Sequence, residues 1–338
     1  RFYSLFSEDF LLILLFISSM TMFISGVVAN FEYDLKKIIA LSTLSQLGMM
    51  FSILALGDLN LAFFHLLMHA LFKALLFMCA GCMIHNLGSY QDIRFMGAVS
   101  NSMPLTSSFF NICNLSLCGL PFMSGFYSKD LILEVLSSGY FNMYVYIIFY
   151  LSIGLTVSYT LRLLYFTMFS YSNYISYSFI NDRSSFMIKG MGGLIYLVIF
   201  GGGLSSWFFF PTPYFICLPL LMKLMVIMLI LFGVILGMIF WKINFTECSK
   251  LIYFNKLLVV FSSIINFNFL STLGVNYYIL SLGGVYLNNM DQGWSEYLGS
   301  QHLYNLYKYY SSTGLMFFLN NMKMFLFLLL LWLCLFII

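Results

Sequence analysis

The chain predicts an all-α polytopic membrane protein, with about eight transmembrane helices, one of them broken, and a lateral interfacial segment before the last span. Three observations carry this. Of its 338 residues, 62% are hydrophobic and only 8% charged, with mean hydropathy +0.94. Soluble domains carry about 25% charged residues, and no soluble fold of this size hides so much apolar surface. The apolar residues fall in runs long enough to span a bilayer. The links between runs alternate strictly in Lys and Arg content.

The runs lie near 10–29, 37–57, 60–86, 103–136, 143–169, 190–210, 216–241 and 322–338. The link after the first holds Lys36 and Lys37, and that after the third holds Arg94. Arg183 and Lys189 follow the fifth, and Lys242, Lys250 and Lys256 follow the seventh. The links near 57–60, 137–142 and 211–215 hold no Lys or Arg. This is the positive-inside pattern, and it puts 30–37, 87–102, 170–189 and 242–321 on the inner side.

Two stretches depart from simple spans. As one helix, 103–136 would run about 51 Å, too long for a straight crossing. Gly119-Leu120-Pro121 and Gly125 are expected to break it, because Pro removes a backbone donor and Gly weakens the helix. Stretch 257–321 mixes apolar pieces with Asn, Gly, Asp291 and Glu296. Its segment 302–321 reads as a helix lying at the inner interface, with a plain connecting loop as the alternative.

Net charge is +3 and no basic cluster points to nucleic acid. The seven cysteines are scattered. Cys79 and Cys82 form a lone CxxC inside a helix and read as packing residues. There is no nucleotide-binding glycine fingerprint, P-loop, iron–sulfur framework or haem motif. The chain shows no cleavable signal pattern and begins at Arg1 without an initiator methionine, which reads as part of a longer polypeptide. Abundant Phe, Tyr and Met with sparse Ala fit an AT-rich organellar genome.

The residues that invite chemistry are cations at membrane depth. His65, His69 and Lys73 recur every four residues, so they share one helical stripe about 12 Å long, drifting about 40° per step. Ionisable groups at that depth suggest a proton or ion path. The alternative is two neutral, hydrogen-bonded histidines and a lysine paired with a carboxylate. A metal site is disfavoured, since HLLMH lacks the glutamate of HExxH and a lysine follows one turn on. Lys129 follows the expected break, next to Asp130 and five residues before Glu134. Broken helices line enclosed or wet cavities; the alternative for Lys129 is a lysine snorkelling at a helix end. Lys223 and Arg162 read as snorkelling cations. Glu32, Asp34, Lys36 and Lys37 read as a solvated cap, and Asp92 with Arg94 as a loop ion pair.

The segments DLKKIIALSTLSQLGMM (34–50), HLLMHALFKALLFMCAGCMIHN (65–86), QDIRFMG (91–97) and LCGLPFMSGFYSKD (117–130) resemble a known family. It is the chain 5 family of mitochondrial NADH:ubiquinone oxidoreductase (complex I), the antiporter-like subunit at the distal end of the membrane arm. The motif match is ordered over about 30–140; later spans fit in layout. The resemblance implies a core subunit that translocates protons through a half-channel, driven by NADH-to-ubiquinone electron transfer elsewhere in the complex. It implies that His65, His69, Lys73, Lys129 and Asp130 carry proton translocation, with Lys129 ending the outward half-channel. It also implies a subunit of an H+-translocating enzyme with no redox chemistry in this chain: NADH, FMN, iron–sulfur clusters and ubiquinone belong to the wider complex. Implied partners are the other complex I membrane-arm subunits, including a neighbouring antiporter-like subunit, and lipids such as cardiolipin. The implied location is the mitochondrial inner membrane.

The family's first half-channel has a glutamate and lysine on an earlier broken helix that nothing here matches. The expected organisation is therefore 1–140 as the second half of the channel core, 141–256 as additional spans, 257–321 as a lateral matrix-side segment and 322–338 as the final anchor. Two other functions remain open at this level: a subunit of a multisubunit sodium/proton antiporter, and a non-transporting structural clamp of the membrane arm.

Overall fold

A computed structural model describes residues 3–139, 142–173, 181–182, 185–243, 269–319 and 322–337. The chain divides into two units, Arg1–Ser262 and Ser263–Ile338. Arg183, Lys250, Lys256 and the expected start of the lateral segment, 257–268, lie outside the described residues.

In the first unit the helices are α1 (Glu8–Ala29), α2 (Leu35–Ala55), α3 (Leu59–Asn86), α4 (Val99–Ser102), α5 (Pro104–Cys118), α6 (Ser124–Ser138), α7 (Met143–Leu164), α8 (Ser185–Phe209) and α9 (Leu220–Ile243). A π-helical turn, Tyr165–Phe169, extends α7. Among the described residues, six helices are individually long and apolar enough to cross a membrane. Helix is the expected solution, because it satisfies backbone hydrogen bonds within one segment where lipid offers none. Serines inside these spans follow the same rule: Ser19, Ser25, Ser45 and Ser52 each donate to a carbonyl three or four residues back.

Run 103–136 breaks where expected. Pro104 sits in the first turn of α5, where its missing N–H costs nothing. Gly119 ends α5 in the left-handed conformation (φ +80°), which glycine adopts without penalty. The chain then turns and restarts at Ser124 as α6. Gly125 makes the return possible: a Cβ there would overlap the Ser116 carbonyl of α5.

α3 is central and packs against α2, α5, α6 and α8; α1 lies on α2, and α7 on α1, α5 and α9. Glycines set the closest approaches. A Cβ on Gly202 of α8 would lie 2.5 Å from Ser124 Cα, and one on Gly48 of α2 would lie 2.9 Å from the Met22 amide of α1. Small residues replace hydrophobic drive as the basis of helix packing in lipid.

Three of the four basic links gather at one end of the bundle. Leu35 N donates to Gln91 O, and Ile93 N to Tyr33 O, which ties 30–37 to 87–102. Ala98 N donates to Ser170 O, which brings in the third basic link. The alternating pattern therefore corresponds to a common end in space. Asp92 and Arg94 form the expected ion pair, at 2.6 Å. Lys37 pairs with Asp34 in an exposed cap. Lys223 is exposed, as a snorkelling side chain would be. Lys189, read as part of a link, lies inside α8, because that helix begins earlier than its apolar run.

Arg162 corrects the sequence reading. It does not snorkel to an interface but is 2% exposed. Its Nη1 donates to Glu32 O at 2.8 Å, and its guanidinium lies over the Tyr33 ring, 4.6 Å from the centre. The fold of the link over the end of α7 buries it.

In the second unit, helical structure runs without a gap from Phe269 to Leu319. It includes α10 (Val275–Tyr286), α11 (His302–Leu319) and π-helical turns between them. The expected 302–321 interfacial helix is thus the end of a longer one. Its Asn and Gly residues do not stop it: Gly283, Gly284, Asn305 and Gly314 lie in α-helix, and Asn288, Asn289, Gly293 and Gly299 in π-helical turns. The last helix, α12 (Met322–Ile337), turns 115° from it.

Candidate functional site

The core of the first unit is two apolar clusters. One, with Ala29, Ile39, Phe72 and Tyr159, lies toward the basic end. The other, with Met22, Met49, Ala62, Ile132 and Ile153, lies toward the opposite end. Between the clusters each helix carries buried polar residues beside apolar ones such as Val28, Phe64, Met68 and Val157: Ser25 on α1; Ser42, Ser45 and Gln46 on α2; His65 and His69 on α3; Thr156 on α7. Ser128 and Lys129 precede the α6 members of the second cluster. The bundle thus holds buried polar groups between and beside two apolar clusters.

His65 and His69 lie with ring centres 6.3 Å apart. His65 is 1% exposed. Its Nδ1 is 3.0 Å from Ser128 Oγ on α6, and its Nε2 3.2 Å from Gln46 Oε1 on α2. His69 stacks edge-on against Phe72, and its Nε2 is buried without a protein partner. Lys73 donates to Ser42 Oγ on α2. The carboxylate partner allowed for Lys73 is thus replaced by a hydroxyl. Among the described residues no group of three metal-ligating side chains forms.

Lys129 is 4% exposed and is not a snorkelling residue. Its Nζ donates to Thr156 Oγ1 on α7 at 2.9 Å and to Leu117 O at 3.4 Å. Leu117 is in the last turn of α5, where carbonyls lack helical partners and the helix dipole is negative. The break therefore supplies the electrostatic complement of Lys129. Asp130 is half-buried and makes no ion pair among the described residues.

The hydroxyls facing these cations share one feature. Ser42 donates to Ile39 O at 2.7 Å, Thr156 to Ile153 O at 2.7 Å, and Ser128 to Gly125 O at 3.3 Å. The Ser42 and Thr156 hydrogens go to their own helices, so those oxygens present lone pairs to Lys73 and Lys129, whereas the longer Ser128 contact leaves its hydroxyl able to donate or accept at His65.

The structure therefore brings His65 of the stripe and Lys129 of the break together through Ser128, which precedes Lys129 in sequence. Gln46, Ser128, Thr156 and Tyr159 were not singled out in the sequence. Their signal was faint: Ser42 and Gln46 lie one turn apart on α2, and Ser152, Thr156 and Thr160 recur every four residues on α7.

A line of buried cations meeting a broken helix inside an apolar bundle defines a membrane domain of antiporter-like type. Residues 1–156 match the family model described as NADH:quinone oxidoreductase/Mrp antiporter, TM. Residues 159–338 match the model described as NADH dehydrogenase subunit 5 C-terminus. The chain belongs to the NADH dehydrogenase subunit 5 family.

It is 52% identical to NADH-ubiquinone oxidoreductase chain 5 of Locusta migratoria, over 89% of this chain and 53% of that protein. It is 50% identical to the protein of the same name from Aedes aegypti, over 94% of this chain and 55% of that protein. The chain thus spans about half the length of the curated relatives it matches. Among solved structures it is similar to a chain of an archaeal respiratory complex, the membrane-bound sulfane sulfur reductase. The TM-score is 0.53 at 28% identity, over 57% of this chain and 32% of that one. A chain of a Dietzia Mrp complex shares the fold, with TM-score 0.50 at 18% identity over 68% of this chain and 50% of that one.

Proposed function

We propose that this chain supplies a proton-translocating half-channel to complex I in the mitochondrial inner membrane. His65, His69, Lys73, Lys129 and Asp130 are its working residues. The observation that carries the reading is the buried seam: His65, His69 and Lys73 are buried along one stripe of α3, and Lys129 is buried on the neighbouring α6. Buried ionisable groups exchange protons readily, since small changes in their surroundings decide their charge. His69 Nε2, buried without a protein partner, is suited to bind internal water.

In this reading the energy comes from electron transfer between NADH and ubiquinone in other subunits, where FMN and the iron–sulfur clusters are held. Proton movement here follows changes in field or hydration passed along the membrane arm. The partners are other membrane-arm subunits, including a neighbouring antiporter-like subunit, with lipids such as cardiolipin around the spans. The helix from Phe269 to Leu319, turned 115° from the last span, suits a lateral position along the matrix face.

The test is Lys129→Met in the full-length subunit, assembled in the complex and reconstituted in liposomes. The expected result is loss of this subunit's share of NADH-driven proton uptake, with electron transfer retained when the gradient is collapsed. Undiminished uptake by the assembled variant overturns the reading. Sodium-driven proton movement without complex I partners would point instead to the sodium/proton antiporter function.

A further inference from the structure

We propose that Gln46 and Ser128 are positioning residues for His65: as they stand they accept from a doubly protonated ring, and rotation of either one lets the pair serve the neutral ring. His65 thereby becomes a junction open on one nitrogen to α2 and on the other to α6. The inference deepens the proton-translocating reading and rests on it.

The argument is one of donors and acceptors. A neutral imidazole has one N–H and one lone pair; imidazolium has two N–H groups. With the amide oxygen of Gln46 facing the ring, Nε2 meets an acceptor at 3.2 Å. Nδ1 meets Ser128 Oγ at 3.0 Å, and that hydroxyl gives its hydrogen to Gly125 O. Two acceptors thus face one ring. In this orientation a neutral ring turns one lone pair toward an oxygen lone pair, whereas imidazolium donates to both.

Two small motions accommodate the neutral ring. Rotation of the Ser128 hydroxyl directs its hydrogen to Nδ1. Rotation of the Gln46 amide directs its NH2 to Nε2. A proton added to the lone pair on one nitrogen, and another released from the other, leaves the ring neutral as the opposite tautomer. No other bond forms or breaks. The net transfer is between the α2 face and the α6 face, where Lys129 follows Ser128.

The charged and titratable groups facing this region come from four elements, α7 supplying Tyr159, whose hydroxyl faces Ser42, Ser45 and Gln46 of α2. α3 itself supplies His69 and, a turn further, Lys73. α6 supplies Lys129 and the half-buried Asp130. α5 supplies Cys113 near Lys73 and Cys118 near Lys129. Among the described residues, α2 and α8 bring ionisable side chains only near their ends or exposed, at Lys36, Lys37 and Lys189.

The experiment uses the full-length subunit in the assembled complex, with infrared difference spectra recorded across a pH titration. Imidazole bands lost in His65→Gln identify the ring. Gln46→Leu and Ser128→Ala remove an acceptor from imidazolium and are expected to move its midpoint down by about one pH unit. Gln46→Glu adds a carboxylate and is expected to move it up. Ser128→Thr keeps the acceptor and is expected to leave it in place, a check that survives if the alanine variant does not assemble. Unmoved midpoints, or shifts of the same sign in Gln46→Leu and Gln46→Glu, overturn the inference. Lys129→Met separates the two levels. Normal pumping there sinks the translocation reading; abolished pumping beside unmoved His65 midpoints sinks only the role of Gln46 and Ser128.

Discussion

Lys129 of α6 and Thr156 of α7 meet through a 2.9 Å hydrogen bond from ammonium to hydroxyl. The Thr156 hydrogen is already given to Ile153 O. The threonine oxygen therefore accepts from the lysine. Beside it the broken end of α5 offers Leu117 O. Two neutral oxygens support a cation that, among the described residues, no carboxylate pairs with.

Thr156→Val removes that acceptor with almost no change in shape. A hydrogen bond to a charged group contributes about 1.5–3 kcal/mol, so proton uptake through this subunit should fall roughly tenfold or more if Lys129 must charge during each cycle. Proteoliposome uptake at fixed NADH oxidation reads this. Assembly should be unaffected, and a fully active Thr156→Val complex would show that Lys129 needs no partner on α7.

Gly202→Ala tests packing apart from charge. The added Cβ would lie 2.5 Å from Ser124 Cα, and backbone cannot move aside as a side chain can. The cost of such overpacking is about 1–3 kcal/mol. The first turn of α6 would shift, and with it Ser128 and Lys129. The expected outcome is a lowered melting temperature of the subunit in the complex. Gly190→Ala, which meets nothing within 4 Å, should leave it unchanged.

Arg162→Lys keeps the charge and removes the planar guanidinium that lies over Tyr33 and reaches Glu32 O. Loss of the stacked contact and its directed hydrogen bond should cost about 1–2 kcal/mol. Quantitative unfolding of the assembled complex would show it. A silent substitution would mean that the buried position needs only a positive charge.

Asp92 provides a pH test at the basic end. Partial burial pushes its carboxyl up, but hydrogen bonds from the Arg94 side chain and backbone outweigh this, and the net direction is down. A depressed folded-state value means that the carboxylate contributes stability above the ordinary carboxylate range. That contribution is lost as pH falls through the folded value. Asp92→Asn should therefore melt earlier than the parent near neutral pH, and the difference should shrink on acidification toward pH 3. A gap that widens on acidification would contradict the assignment.

Much of the site was legible before any coordinates. The four-residue spacing of His65, His69 and Lys73 dictates one helical face, and Gly119 with Pro121 dictates a break ahead of Lys129. Arg162 was misread, because a cation near the end of an apolar run looks the same whether it reaches water or lies under a folded link. Gln46, Ser128 and Thr156 passed unnoticed for a related reason. Hydroxyls and amides are common in spans, where most bond back to their own helix, and nothing local marks those that also accept from another helix.

The sequence by itself determined the class, the spans, the broken helix and the family, because each rests on local patterns of hydropathy, charge and motif. Only the tertiary structure decided that residues from α2, α3, α6 and α7 meet. Apolar side chains around them pack into two separate clusters. The costly polar groups between and beside these are left to satisfy one another across helices. Contact between His65 and Ser128, 63 residues apart, follows from helix packing and has no signal at any sequence period.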